Sequence, residues 1–190
     1  MDRIDEAANR LWGALGEDGR LHPSPRFADE LAECCYGNNN QVIVEKVSNW
    51  SYGDQLEHLY LGSHYVLDRL EESMSGEHAQ SRIGFWGVGM MVGGFMPRYV
   101  FPTIPPLVPK SGTEEHIGPL RESLNERIRN IPWTLDEIKA STGKSLHPRM
   151  KYLTSSQWLY FADIHHRHHL GIMRDILKAA GVTPVVAAYA

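Results

Sequence analysis

The sequence predicts an all-α protein that forms a single domain. Apolar residues recur at helical spacing over several long stretches, whereas the alternation of apolar and polar residues that marks a half-buried strand is almost absent. Serine or threonine stands at the start of several of these stretches, where it caps a helix. The chain has 190 residues and 42% apolar content, enough to bury one core. We therefore expect residues 1–190 to form one domain, with its clearest motifs within 50–180.

Composition and charge argue against several classes of function. The formal net charge is −4, the pI is near 6.2 and the basic residues are scattered, so no nucleic-acid-binding surface is indicated. Cys34 and Cys35, the only cysteines, are adjacent and form neither a disulfide framework nor a cysteine-based zinc site. They suit a reducing cytosol, and we expect them to pack on a helix.

No segment is typical of export or of membrane insertion. The N-terminal stretch MDRIDEAANRLWGAL carries acidic residues where a secretory signal carries basic ones, and it lacks an apolar region followed by a cleavage site. The most apolar run, Ile83–Met96, is shorter than the roughly 20 residues that cross a bilayer. We expect a cytoplasmic protein without membrane contact, in which this glycine-rich run is buried or half-buried.

Two predicted helices precede the apolar run. The first is expected between Ser24 and Val47, broken or divided into two pieces at the tract GNNN. The second covers SYGDQLEHLYLGSHYVLDRLEESM, with Ser51 as its N-cap. Its apolar residues cluster on one side and predict a buried face, made of Leu56, Leu59, Val66, Leu67 and Leu70.

A long connection and three further helices complete the chain. Between Gly84 and Gly112, glycine and proline are dense enough to exclude a continued helix, which predicts a long ordered crossover. The next helix begins after Thr113, or one turn later at Pro119, and a short helix covers TLDEIKAS. The last helix is capped by Thr154 or Ser155 and ends at AAGVTP.

The stretch DIHHRHHLGI in the last helix contains four of the ten histidines. At 100° per residue, the apolar face carries Trp158, Phe161, Ala162, Ile172 and Ile176, and the opposite face carries Tyr160, Asp163, Arg167, Arg174 and Lys178. His165 and His169 fall on the apolar face, one turn apart, which is the spacing that two imidazoles need to bind one metal ion. His166 and His168 fall on its flanks and are weaker candidates.

The alternative for His165 and His169 is that they are core histidines satisfied by hydrogen bonds. Two such rings on one buried stripe favour metal binding, because a shared cation satisfies one nitrogen of each ring and leaves the other to bond outward. A third ligand must then come from another helix, and His58, His64 and His116 are the candidates. His58 lies opposite the leucine-rich side, which is a mild objection in a bundle, and His64 is typical of a surface position. Spacing alone leaves the choice open.

Two separated motifs resemble those of the DinB-like superfamily, close to a branch described only as a domain of unknown function. HPRMKYLTSSQWLYFADIHHRHHLGI resembles its C-terminal signature, and WSYGDQLEHLYLGS resembles its second-helix signature, a tryptophan followed by LEHL. With the crossover between them, the two motifs cover most of the chain after about Trp50. The resemblance implies a four-helix bundle with a mononuclear metal site formed by His58, His165 and His169.

The chain departs from the superfamily pattern after the last of these histidines. Many relatives have a basic residue and a glutamine there, whereas this chain has Leu170, Gly171 and Ile172. If that glutamine orients a bound group in relatives, its role is absent or moved here. The region Met1–Asn49 contains no motif of the superfamily.

Three neutral imidazoles leave at least one coordination position of a metal open for water or a substrate atom, as in catalytic sites. Nitrogen ligands suit zinc or nickel and also admit iron, manganese or copper. Such a metal lowers the pKa of bound water or activates a thiolate, and the resemblance adds thiol-dependent transfer as a hypothesis. Asp54 and Glu57, close to His58 in the sequence, are candidate orienting groups. No residue is assigned as a catalytic acid or base.

Three classes of function stay open. The first is a metal-dependent hydrolase or thiol transferase that acts on a small-molecule substrate or thiol. The second is a metal-containing protein that binds a small ligand without turnover, and the third is a structural helical dimer whose histidines form a polar core. Whether Glu114, Glu115 or His116 supplies a fourth metal ligand also stays open. We expect a homodimer, with FWGVGMMVGGF as a subunit contact or as the wall of a substrate pocket.

Overall fold

The computed structural model describes residues 3–12, 41–78, 80–98 and 102–182. Within these residues the protein is mainly helical, as the sequence predicts, with one small antiparallel sheet. The elements are α1 (Arg3–Trp12), α2 (Tyr52–Met74), α3 (Phe85–Gly93), a 3-10 turn (Pro105–Leu107), α4 (Glu114–Arg129), α5 (Leu135–Ala140), β1 (Lys144–His147), β2 (Lys151–Thr154) and α6 (Ser155–Ala179). In this part of the chain, no helix combines the length and the apolar character that a membrane span requires.

Helices α2 and α6, of 23 and 25 residues, pack along each other and carry much of the core. Each begins with a capping box, in which the cap and the third helical residue satisfy each other's N–H groups. At α2, the Ser51 hydroxyl accepts the Asp54 N–H at 3.0 Å and the Asp54 carboxylate accepts the Ser51 N–H at 2.9 Å. At α6, Thr154 rather than Ser155 is the cap, paired with Gln157.

The predicted apolar faces of these two helices meet in the core. Leu56, Leu59, Val66, Leu67 and Leu70 of α2 are each at most 3% exposed, and Trp158 of α6 is fully buried. Helix α6 also packs against α1, and α2 also packs against α4. Both long helices therefore have neighbours on more than one side, which widens the buried part of their surfaces.

The prediction of a first helix reaching Val47 is wrong for its described part. Residues 41–50 form turns, in which the Val44 carbonyl accepts the N–H groups of Val47 and Ser48. The side chain of Ser48 then accepts the N–H of Trp50 at 3.0 Å and so leads into the cap of α2. The remainder of that predicted helix, with Cys34 and Cys35, lies outside the described residues.

A short β-hairpin was absent from the sequence prediction. Strands β1 and β2 pair antiparallel with Lys144 opposite Thr154 and His147 opposite Lys151. Each strand has only four residues, too few for alternation to be visible in a sequence. The hairpin leads directly into α6, and it brings His147 against Trp158, with ring centroids 5.3 Å apart.

The predicted crossover between Gly84 and Gly112 contains regular structure as well as extended chain. Helix α3 interrupts it, and the 3-10 turn follows. The C-cap of α3 is Gly94, whose φ of +66° favours glycine. The expectation that Ile83–Met96 is buried or half-buried is wrong for much of the segment. Phe85, Val92 and Phe95 are 87%, 71% and 63% exposed. The nine-residue helix lies on the surface and buries only one side.

The helices after the crossover follow their sequence signals closely. Helix α4 begins at Glu114 with Thr113 as N-cap, so the later start at Pro119 does not apply. Pro119 lies inside the helix, in its second turn. The predicted short helix is α5, and Thr134 and Glu137 form a capping box at its N-terminus.

Asp163 lies on the side of α6 opposite the predicted apolar face, but this side is also buried at Asp163. Its carboxylate is buried where α1 packs against α6, and it accepts hydrogen bonds from Arg10 at 2.7 and 2.9 Å and from Arg167 at 3.0 Å. Burial acts to raise the pKa of this carboxyl, but the two guanidinium groups outweigh it and hold the pKa below its ordinary value. The ion pairs therefore fasten α1 to the helix that carries the histidines.

Candidate metal centre

The structure brings His58 of α2 together with His165 and His169 of α6. One ligand nitrogen of each ring lies within 4.8 Å of the others, and in the described part of the chain this is the group of side chains that could hold a metal ion. The three side chains are buried, with exposures of 4%, 8% and 7%. The prediction that these three residues lie close enough to bind one ion is thus confirmed.

Two carbonyl oxygens determine which ring nitrogen is available in His58 and in His169. Nδ1 of His58 lies 2.7 Å from the backbone carbonyl of Leu107, and Nδ1 of His169 lies 2.6 Å from the side-chain carbonyl of Gln55. Because a carbonyl only accepts, each Nδ1 must carry the hydrogen, and each Nε2 keeps its lone pair. The Gln55 amide in turn donates to Ser48 Oγ at 2.9 Å, which orients its oxygen towards His169.

The spacing of two of the ligand nitrogens is compatible with a metal ion. Nε2 of His58 and Nε2 of His165 lie 3.1 Å apart. Tetrahedral zinc with Zn–N bonds of about 2.0–2.1 Å places neighbouring nitrogens about 3.3 Å apart. These two nitrogens share a hydrogen bond, which a bound cation would replace. The Nδ1 hydrogens of His58 and His169 would still bond outward, as is typical of metal-binding histidines.

Burial also keeps the three imidazoles in the neutral form that binds metal. It lowers the pKa of His165 and His169 well below the ordinary histidine value, with a smaller contribution from the neighbouring histidines. Burial likewise lowers the pKa of His58, although the Leu107 carbonyl acts in the opposite direction. All three rings are therefore uncharged at neutral pH, and protons compete with a metal only under acidic conditions.

Sequence reasoning missed the groups that orient the triad. Gln55 stands three residues before His58 and therefore lies on the same side of α2. This shared side was a usable signal that the Gln55 amide faces the site of His58. The Leu107 carbonyl comes from the distant 3-10 turn, and no sequence pattern marks such a backbone contact. Gly62 was also missed: a Cβ there would lie 3.0 Å from Cε1 of His165, so the small residue makes room for the ring.

Asp54 and Glu57, the predicted orienting carboxylates, have other partners. Asp54 belongs to the capping box of α2. Glu57 is 2% exposed and accepts the backbone N–H groups of Lys110, Ser111 and Gly112 at 3.0, 3.1 and 2.8 Å. It therefore anchors the crossover just after the turn that presents the Leu107 carbonyl, and it acts on the triad only through that backbone.

The remaining candidate histidines make separate contacts. His166 is buried, and its Nε2 lies 2.9 Å from Ser63 Oγ. Because the Ser63 hydroxyl donates its hydrogen to a backbone carbonyl, His166 is the donor in this pair. Burial lowers the pKa of His166 to about 4. His168 is half-buried and donates from Nδ1 to the carbonyl of Met96 at 3.0 Å. His64 donates to a carbonyl of α4. None of the three is part of the triad, although His168 lies in the cavity beside it.

The fourth-ligand candidates also lie elsewhere. Nδ1 of His116 lies 2.8 Å from Ser111 Oγ, next to the Glu57 anchor. Glu114 pairs with Arg121 at 2.7 Å. Among the described residues, the group that could hold a metal ion therefore consists of three histidines.

A cavity of about 140 Å³ opens beside the triad, and all three histidines line it. Its walls come from α2, α3, the crossover, the hairpin turn and α6. Met90 of α3 and Met96 after it belong to the lining, so this apolar segment forms part of a pocket wall, one of the two roles expected for it. A small molecule in the cavity would have direct access to a group bound at the triad.

We expect Gln55→Leu to lower the affinity for zinc by about 10- to 100-fold, because His169 loses the acceptor that orients it. The substitution keeps the size and burial of the side chain. Gln55→Glu is the matched control, since its carboxylate still accepts from Nδ1 of His169, and it should bind zinc more tightly than the leucine variant. A chelator-competition titration measures both. Equal affinities in the two variants would show that the acceptor has no role in metal binding.

Comparison with protein-family models, with curated proteins and with solved structures finds no match to this chain. The comparisons therefore assign neither a family nor an activity. The histidine triad and the cavity that it lines are the features of the molecule that point to a function.

Proposed function

We propose that this protein is a metal-dependent enzyme of the DinB-like superfamily, with a mononuclear site formed by His58, His165 and His169 that serves hydrolysis or thiol transfer. The observation that carries the proposal is the convergence of three buried, neutral imidazoles, two of which are held by carbonyl oxygens with Nε2 available. A core of unrelated polar histidines would not require three ring nitrogens within 4.8 Å of one another. The cavity beside them provides access for a substrate.

The four-helix bundle of this superfamily is part of the same proposal. The two long helices that carry the histidines pack along each other, α1 packs on α6, and α4 packs on α2. This order of contacts supports a bundle made of α1, α2, α4 and α6, with the crossover passing over the cavity. The small hairpin and α5 would be additions to that core.

Zinc and nickel are the metals that we propose for the site. Imidazole nitrogen suits both ions, and it also binds iron, manganese and copper, so the donor set alone does not select one. A bound divalent ion supplies Lewis acidity, which lowers the pKa of water or of a thiol. The protein holds the three rings neutral, and the cavity beside them is lined mainly by apolar side chains.

One observation favours the second candidate, a metal-containing protein that binds a small ligand without turnover. The described residues that line the cavity include no aspartate and no glutamate. A carboxylate base for a proton transfer is therefore absent from this lining. Outside the triad, His168 is a basic side chain of the lining whose ring lies 4.9 Å from that of His169, measured between centroids. Assays must accordingly separate metal binding from turnover.

The test is a screen of activated esters, anilides and thiol conjugates with the zinc-loaded and nickel-loaded protein. We expect turnover that disappears in His58→Ala and persists in His64→Ala, whose side chain belongs to the same helix but contacts α4. Tight metal binding without turnover of any substrate class would favour the binding protein. A protein that binds no metal would leave the third class, a structural helical dimer.

We also propose a homodimer. The outer side of α3 exposes large apolar side chains, and the segment from Ile83 to Met96 contains no charged residue. Exposed apolar surface of this kind commonly marks a contact between proteins, and identical subunits are the commonest partners. A mass measurement in solution for the parent and for Phe85→Ser tests the proposal, which requires a dimer in the parent and dissociation in the variant.

A further inference from the structure

The cavity beside the triad has a second polar group, the hairpin turn between β1 and β2. His147, the last residue of β1, and Arg149 of the turn line the cavity together with the triad histidines. Phe161 connects the two regions, because its ring lies 4.8 Å from that of His147 and 5.8 Å from that of His165, measured between centroids. A small molecule in the cavity can therefore contact the turn and the triad at the same time.

The hydrogen bonds of the turn make His147 a donor towards a ligand. Its Nδ1 accepts the backbone N–H groups of Arg149 and Met150, both at 3.1 Å. Burial, with a smaller contribution from the Arg149 charge, lowers the pKa of His147 to about 4, so the ring is neutral at physiological pH. With the lone pair of Nδ1 occupied by two donors, the remaining ring hydrogen must be on Nε2.

Arg149 adds a positive charge at the opening of the cavity. Its side chain is exposed, and in the described part of the chain no carboxylate lies within ion-pair distance of its guanidinium. The cavity lining described above contains no acidic side chain that could neutralise it. One N–H donor and one planar cation therefore lie together without a negative partner from the described protein.

The rest of the lining is mainly apolar. Val66, Met90, Met96, Ile104 and Phe161 belong to it, and the volume of about 140 Å³ is close to that of a cavity known to hold benzene. A ligand of this size has one ring or a short branched chain. Such an apolar body would be desolvated by the walls, and its polar group would have to meet the donors of the turn.

We propose that the cavity binds a small monocarboxylic acid with an apolar body of about one ring, whose carboxylate bonds to Arg149 and to Nε2–H of His147. The guanidinium fork matches the two carboxylate oxygens, and a single positive charge balances a single negative one better than the double charge of a phosphate. Binding of the carboxylate does not depend on the proposed metal site. The inference rests on the proposed function only in placing the reacting group of the ligand, opposite its carboxylate, at the triad.

The test is binding of benzoate, phenylacetate and 3-phenylpropanoate, each compared with its primary amide, to the metal-free and the zinc-loaded full chain. We expect at least one acid to bind about tenfold or more tightly than its amide, with and without zinc. Arg149→Gln should weaken that acid by about tenfold and leave the amide unchanged. Arg129→Gln is the matched control, because Arg129 is an exposed arginine outside the cavity lining.

Three results would overturn the inference: no acid binds, acid and amide bind equally, or Arg149→Gln behaves as Arg129→Gln does. Acid binding that requires zinc and is insensitive to Arg149 would also overturn it, since the carboxylate would then bind the metal. Zinc titration of the same samples keeps the two proposals separate. A chain that binds no zinc but binds the acid in an Arg149-dependent way would contradict the proposed function and support the present inference.

Discussion

Alanine at any one of His58, His165 and His169 is expected to lower the affinity for zinc by more than about 100-fold. Removal of a group that merely orients a ligand costs about 10- to 100-fold, and loss of the ligand itself must cost more. The reason lies in the geometry: with one ring absent, only two nitrogens of the triad remain to hold the ion. A competition titration against a chromophoric chelator measures the change.

His64→Ala is the matched control for these variants. His64 lies on the same helix as His58, but its Nε2 donates to the Leu120 carbonyl and it has no place in the triad. We expect its zinc affinity to stay within about twofold of the parent. Zinc should also raise the melting temperature of the parent and of His64→Ala only, because a ligand at 100 times its Kd adds about 2.7 kcal/mol of stability. Similar behaviour of His64→Ala and the triad variants would contradict the assignment.

Glu57→Gln is expected to lower the free energy of unfolding by about 3 kcal/mol and to weaken zinc binding as well. The buried carboxylate accepts three backbone N–H groups, whereas an amide offers one oxygen and turns its NH₂ group towards the remaining donors. An unsatisfied buried N–H costs about 1–3 kcal/mol, and the crossover would move. His58 would then lose part of the support that it receives from the Leu107 carbonyl.

The effect of Glu57 should depend on pH in a defined direction. Burial acts to raise the pKa of Glu57, but the three backbone hydrogen bonds outweigh it and lower the pKa below its ordinary value of 4.5. The unfolded chain therefore takes up this proton first as the pH falls. The stability from Glu57 is complete above the unfolded pKa and is lost progressively as the pH falls from there through the lower folded pKa. Denaturant unfolding should show the parent and Glu57→Gln converging at low pH. The exposed Glu122→Gln serves as control, and a difference that stays constant down to pH 3 would contradict this account.

Local sequence signals were sufficient for the long helices. Ser51 and Thr154 begin α2 and α6 because each has a partner three residues later that completes a capping box, and both features are visible in the sequence. The pair His165 and His169 could also be placed, since residues four apart on one helix must lie on the same side. These inferences need no knowledge of how the helices are arranged.

Features that depend on the neighbours of a helix could not be predicted in this way. Asp163 was placed on the face opposite the apolar one, but α1 covers that side of α6 and supplies Arg10 as a partner. His58 lies opposite the leucines of α2, and it is buried because the crossover covers this side and provides the Leu107 carbonyl. Amphipathicity assumes one buried face, and both helices have more than one.

For the apolar segment of α3 the error was the opposite one, because residues predicted to be buried are exposed. Its composition indicated burial, yet Phe85 and Trp86 are 87% and 56% exposed while Met90 is buried against the cavity. The hydrophobicity of a segment indicates how much free energy its burial would contribute. It does not indicate whether the rest of the chain covers the segment. The proposed dimer is the hypothesis that accounts for this exposure.

The central claim is that His58, His165 and His169 hold one transition-metal ion. Elemental analysis of protein purified without a histidine tag tests it most directly, with the His165→Ala, His169→Ala double variant prepared in parallel. The account predicts about one equivalent of metal in the parent and none in the variant. A parent that stays metal-free after incubation with zinc and with nickel would contradict it, and the three histidines would then form a hydrogen-bonded polar core.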